Sequence, residues 1–194
     1  MKRPNESITF DAQEFGRLKR LVAEGEGQTL EFKRKASFPE KIVREMIAFA
    51  NTSGGVVLIG VDDDGSIPGL KYPEEESHVI HQALKSCKPA LKLRETFISV
   101  GHARSILRYD IPESTRKPHY LLQNGSKNSF VRVADQSITA SREVREIAKR
   151  SQRMRNIKFH YGDHEQLLMK YLDKNPTITV KEFMHIGKLN RFYA

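Results

Sequence analysis

Residues 48–65, AFANTSGGVVLIGVDDDG, run from a helix end through a glycine pair and an apolar strand into three consecutive aspartates. VVLIGV (56–61) is continuously apolar and rich in β-branched residues, the pattern of a central strand covered on both faces. Upstream, Ser37-Phe-Pro-Glu40 reads as a capping box with proline in the first turn. The helix that follows carries Ile42, Met46, Phe49 and Ala50 on one stripe and ends across Asn51 to Gly54. Before it, TLEFK (29–33) alternates: Leu30 and Phe32 take one face, and Thr29, Glu31 and Lys33 take a polar one.

The same reading extends outward. Asp11 and Glu14 begin a helix with Phe15, Leu18, Leu21 and Val22 inward, and Gly25 stops it. Pro73 and three glutamates open another, with Lys85 and Lys88 near its close. Strands are predicted near 93–100, 104–111, 117–123 and 129–134, with Asn124-Gly125 in a hairpin loop between the last two. From Ser141 a helix turns Val144, Ile147, Ala148, Met154 and Ile157 inward. The expected fold is α+β, a mixed β-sheet with packed helices, over residues 11–158. Residues 163–194 hold an amphipathic helix and a capping box at Thr179-Val-Lys-Glu182, with Gly187 as helix stop. They read as the beginning of a winged helix-turn-helix whose recognition element is truncated.

Composition narrows the function. The net charge is +9, and residues 141–194 alone carry 12 Lys/Arg against 6 Asp/Glu. A basic balance of this kind favours a polyanionic partner, most often nucleic acid. No apolar run has the ~18–20 residues of a membrane helix, the N-terminal segment lacks the apolar core of a secretory signal, and Cys87 is the single cysteine. A cytoplasmic protein without a membrane partner is expected.

Candidate chemistry sits at three places. The glycines match neither the G-x-x-x-x-G-K-[ST] phosphate loop nor G-x-G-x-x-G, and they follow a helix where a phosphate cradle would open one. A helix stop and tight turn is the better reading. Glu26, Glu31 and Asp62 converge if their strands are neighbours, and such oxygens suit Mg²⁺ or Mn²⁺ acting on a phosphodiester. The alternative is a solvated turn at Asp62 and a Glu31–Lys33 pair. His78 and His81 lack a third ligand and read as helix-surface residues. Arg142, Arg145, Lys149 and Arg153 share a helix face, in a segment with seven cations against two acids, and suit sequence-blind phosphate contact.

LEFKRK (30–35), the 48–70 segment, KPHYLL (117–122) and FVRVADQSITAS (130–141), in this order, resemble the Schlafen AlbA-like domain over about residues 15–150. The resemblance implies a bacterial transcriptional regulator with a following winged helix-turn-helix; a homodimer is a further expectation about its partners. Vertebrate Schlafens with ribonuclease activity use three acids, which by motif position fall on Glu26, Glu31 and Asp62, with Glu24 a near alternative. Lys33 or Arg132 would then steady phosphate. The family was once labelled a divergent AAA domain, but the missing Walker motif argues against ATP hydrolysis by that chemistry. The family motif often reads V-R-V-G where this chain has Ala134. Three functions follow in order of preference: a DNA-binding transcriptional regulator, a Mg- or Mn-dependent endoribonuclease acting on structured RNA, and a nucleotide-binding module.

Overall fold

A computed structural model describes residues 10–123, 125–153 and 162–189, with only the backbone given for 151–153. The chain divides into two compact units, residues 1–154 and 155–194. The first is an α+β fold. Its main sheet has the order β1 (Leu30–Lys33), β2 (Gly55–Ile59), β5 (Arg104–Ile111), β4 (Arg94–Gly101). β1 and β2 are parallel, with Glu31 opposite Val57, and the other pairs are antiparallel.

Helices cover both faces of this sheet. α1 (Ala12–Ala23) places Leu18 and Val22 against Leu30, Phe32, Leu58, Ile98 and Ile106. On the other face, α2 (Pro39–Asn51) and α3 (Pro73–Leu84) pack Met46, Phe49 and Ile80 against Val57, Ile59, Leu107 and Tyr109. Successive β2 side chains thus enter opposite cores, which is why the strand reads as apolar throughout. Each fully buried Leu, Ile or Phe contributes roughly 1.5–3 kcal/mol.

α2 is buried on more than one side. Its far face carries Val43, Ile47 and Ala48 against Cys87, Leu121 and Phe130. These belong to a second sheet, β3 (Cys87–Lys88), β6 (Tyr120–Gln123) and β7 (Ser126–Asn128), and to the hairpin of β8 (Phe130–Val133) with β9 (Gln136–Thr139). A hairpin therefore joins β6 to β7, with Gln123 opposite Ser126; Asn124, expected in its turn, lies outside the described residues. The expected return strand at 129–134 pairs instead with β9, because Ala134 takes a left-handed φ of 54° and turns the chain there.

Two expected helix signals are realised differently. Ser37 does not cap α2: Phe38 is the N-cap, no side chain bonds the first amides, and Pro39 occupies the first helical position. At Gly54 the φ is +77°, and a Cβ there would lie 2.8 Å from the backbone of Ile111 and Glu113. The glycine pair is a helix stop packed on a neighbouring strand end.

Asn51 fastens α2 to the second sheet. Its amide nitrogen donates to the carbonyls of His119 and Phe130 at 3.1 and 2.9 Å and to Ser129 Oγ at 3.1 Å, and its oxygen accepts the His119 N–H at 2.8 Å. A buried amide with every group satisfied specifies one packing arrangement.

α4 (Arg142–Arg153) closes the first unit. Val144 and Ile147, expected on its inner face, are exposed, Ala148 is half-buried, and Met154 and Ile157 lie outside the described residues. In the second unit, α5 (Asp163–Leu172) and α6 (Val180–Gly187) are the described helices. The Thr179–Glu182 capping box is formed, with Glu182 N–H donating to Thr179 Oγ1 at 3.3 Å and Thr179 N–H to Glu182 Oε2 at 2.7 Å. Lys188, at φ 49°, takes the left-handed capping position expected of Gly187. Residues 190–194, where the recognition element would begin, lie outside the described residues.

Candidate functional site

The three candidate acids arise from one edge of the main sheet, and each has its own partners. β1 is an edge strand, and its Phe32 N–H faces away from β2. Glu26 Oε1 accepts that N–H at 2.7 Å and lies 3.9 Å from Lys33 Nζ. The carboxylate thereby occupies an edge amide that would otherwise be open to another strand.

Glu31 is buried, not on a solvated face as the alternation predicts. Its Oε1 accepts from Lys33 Nζ, and its Oε2 accepts from Arg132 Nη2 at 2.7 Å. The Arg132 side chain is 1% exposed. It donates to Glu45 Oε2 at 2.7 Å from Nη1, and to the Gly27 carbonyl at 2.8 Å from Nη2 and 3.1 Å from Nε. Its guanidinium stacks 4.9 Å from the Phe49 ring. The Arg132 N–H also donates to Thr52 Oγ1 at 2.9 Å. Arg132 is thus a buried rivet joining β8, α2 and the turn before β1. The expectation that it steadies a phosphate is corrected, because its charge is spent on two interior carboxylates. Burial pushes the Glu45 carboxyl above its ordinary 4.5, while Ser137 Oγ–H and Arg132 pull it back.

Asp62 follows β2 in a tight turn. Its N–H donates to the Ser66 carbonyl at 2.9 Å, its Oδ2 accepts from Ser66 Oγ at 3.3 Å, and Arg34 Nε lies 3.5 Å from Oδ1. Arg34 is largely exposed, so this pair contributes little. The strands are neighbours, as convergence requires, but Asp62 engages Arg34 and Ser66 while Glu26 and Glu31 share Lys33. Among the described residues no three His, Cys, Asp or Glu side chains are grouped to hold a metal ion. The three carboxylates are engaged by Lys33, Arg132, Arg34 and Ser66, and no metal step is derived from them. Glu24, the alternative to Glu26, follows α1 as its C-cap.

The basic residues divide in the same way. Lys33 is one-third exposed and bonded to Glu31 and to the Phe32 carbonyl at 2.7 Å. On α4, Arg142 and Lys149 are exposed and Arg145 is half-buried. They recur at i, i+3 and i+7, which sets them on one face. Lys149 pairs with Glu146 at 2.7 Å, and the side chain of Arg153 lies outside the described residues.

Glu45 and Ser137 escaped the sequence reading. Glu45 shows only as one of two charged residues, beside Arg44, in the otherwise apolar IVREMIAFA, and its partner Arg132 is 87 positions away. His119, from KPHYLL, is buried. Pro89 O accepts its Nδ1–H at 2.7 Å, so Nε2 is the acceptor for Ser114 Oγ–H at 2.6 Å. Desolvation lowers its pKa and keeps the ring neutral. His78 and His81 are helix-surface residues, His81 lying 3.3 Å from Glu95. No described helix is long and apolar enough to cross a membrane.

A mixed sheet with a capped edge, a central helix buried on both sides and an inward arginine make the first unit an α+β domain built around α2. Residues 26–141 match the family described as Schlafen, AlbA_2, more than half of the chain, and the chain belongs to that family. Among solved structures it is similar to the N-terminal domain of a RecG-related protein from Nitrosomonas europaea. The identity is 27% and the TM-score 0.48, over 66% of this chain and 95% of that one. No curated protein matches the chain.

Proposed function

We propose that this protein binds nucleic acid, with DNA-binding regulation of transcription as its particular role. The observation that carries the reading is the α4 face, where Arg142, Arg145 and Lys149 stand together in the most basic part of a chain of net charge +9. A row of cations at helical spacing meets successive phosphates and releases their counterions. The two helices of the second unit, with the Thr179 capping box, support a helix-turn-helix contribution. The endoribonuclease alternative would need Glu26, Glu31 and Asp62 to leave their present partners, and nothing in their geometry favours it.

Fluorescence anisotropy with a labelled DNA duplex tests the proposal. The wild-type chain should bind with steep salt dependence. Arg142→Ala, Arg145→Ala and Lys149→Ala together should shallow the slope of log K against log [salt] by about 2–3, at ~0.9 per phosphate contact. An unchanged slope removes α4 from the interface. Absence of binding at low salt overturns the function.

A further inference from the structure

Two stretches of the first unit contain no acidic residue. Residues 77–94 carry four Lys/Arg and residues 114–134 carry another four, with no Asp or Glu in either. The fold brings these stretches together, because β3 comes from the first and β6 and β7 from the second.

Register decides which residues face outward. Cys87 pairs with Leu121, and both are buried against α2. Directly opposed residues of an antiparallel pair share a face, and neighbours along a strand alternate. The next pair, Lys88 with Tyr120, therefore points away from α2, as does Leu122 with Lys127. Burial agrees: Lys88, Leu122 and Lys127 are exposed and Tyr120 is half-exposed. Lys127 Nζ lies 4.3 Å from the centroid of the Tyr120 ring, and Lys85 extends the positive surface at the end of α3.

The flanking acids do not neutralise this face. Glu95 accepts from Ser77 Oγ and Tyr109 OH, Glu76 accepts the Ala36 N–H, and Glu113 pairs with Lys117. The result is a small sheet face with an aromatic ring, an exposed leucine and lysines on two strands. Unpaired bases stack on a ring set among phosphate-binding cations, the combination this face presents.

We propose that the outer face of β3–β6–β7 is a binding platform for single-stranded nucleic acid, with Tyr120 stacking on a base and Lys88 and Lys127 holding phosphates. The platform rests on the nucleic-acid reading above and is separate from α4 in sequence and residues.

The test uses the full chain, a labelled oligo-U of about 20 nucleotides and a duplex of equal length. Tyr120→Ala should weaken oligo-U binding about 5- to 100-fold and leave duplex binding within about 2-fold. Tyr120→Phe should restore it, since the ring and not the hydroxyl is invoked. Lys88→Ala with Lys127→Ala, both at exposed positions, should shallow the oligo-U salt slope by about 1.4, at ~0.7 per phosphate. Circular dichroism confirms folding, and the lysine pair keeps the test decisive if Tyr120→Ala unfolds. Wild-type affinity for oligo-U in Tyr120→Ala or an unchanged slope in the lysine variant overturns the platform, as does a Phe variant as weak as Ala. Duplex binding without oligo-U binding overturns the platform alone, and failure to bind either overturns the nucleic-acid reading with it.

Discussion

Replacing Arg132 by methionine should be among the most destabilising single changes available in the first unit. Methionine keeps the length and apolar stem of the side chain and removes the charge and its donors. The wild-type guanidinium, 1% exposed, supplies bonds of 2.7 Å to both Glu31 and Glu45 and two to the Gly27 carbonyl. The two carboxylates differ in what remains. Glu31 keeps Lys33, whereas Glu45 keeps only the Ser137 hydroxyl and the distance-weakened field of Lys33. Removing one member of a buried pair costs roughly 3–5 kcal/mol, because it strands the other charge. In a chain of this size each kcal/mol corresponds to about 2–4 °C, so Tm should fall by roughly 6–20 °C. The pH dependence carries a sharper signature. The folded Glu45 pKa is raised above 4.5, and loss of Arg132 raises it further. An acid raised in the folded state is favourable below its unfolded pKa, and that contribution is lost as pH rises through the folded value. The penalty of Arg132→Met should therefore shrink as pH is lowered from 7 to 5. Urea denaturation followed by circular dichroism at both values measures this. A loss below about 1 kcal/mol at pH 7, with an unchanged m-value, would refute the buried-rivet account, since that is what an exposed pair contributes.

Two further outcomes follow from the same packing. Burial lowers the His119 pKa below its ordinary 6.5, so the unfolded chain protonates first as pH falls through 6.5. Stability should therefore drop on acidification from about pH 7.5 until the folded pKa is passed, and His119→Gln should flatten that limb of a Tm-versus-pH profile. Ala134 turns β8 into β9 at φ 54°, where an L side chain costs roughly 1–2 kcal/mol and glycine costs none. Ala134→Gly also loosens the unfolded chain by about 0.4–1 kcal/mol, leaving a net gain of roughly 0–1.6 kcal/mol in urea denaturation. A loss of stability would show that the Ala134 methyl makes compensating contacts.

Much of the architecture was legible because it is written in local patterns. The apolar run 56–61 announced a strand covered on both faces, and β2 lies between two cores. Asp11 caps α1 and Thr179 caps α6 because caps act over three residues of chain. The failures were equally physical. Ser37 satisfied a capping pattern, but Pro39 and the exposed Phe38 began the helix instead. The strand expected at 129–134 existed, yet its partner depended on where the chain next turned, and Ala134 carries no turn signal of its own.

The candidate site divides along the same line. The sequence alone determined that Glu31 and Lys33 share a strand face, that the glycines at 54–55 stop a helix, and that the basic charge gathers toward the C-terminal end. Only the tertiary structure decided that Glu31 is interior, bridged through Arg132 to Glu45 across 101 and 87 positions of chain. Only register decided that Lys88, Tyr120 and Lys127 share one outer face. Alternation and capping depend on neighbours along the chain and can be read from it. The partner of a buried charge depends on which distant segments the core brings together, and that is settled when α2 is covered on both sides.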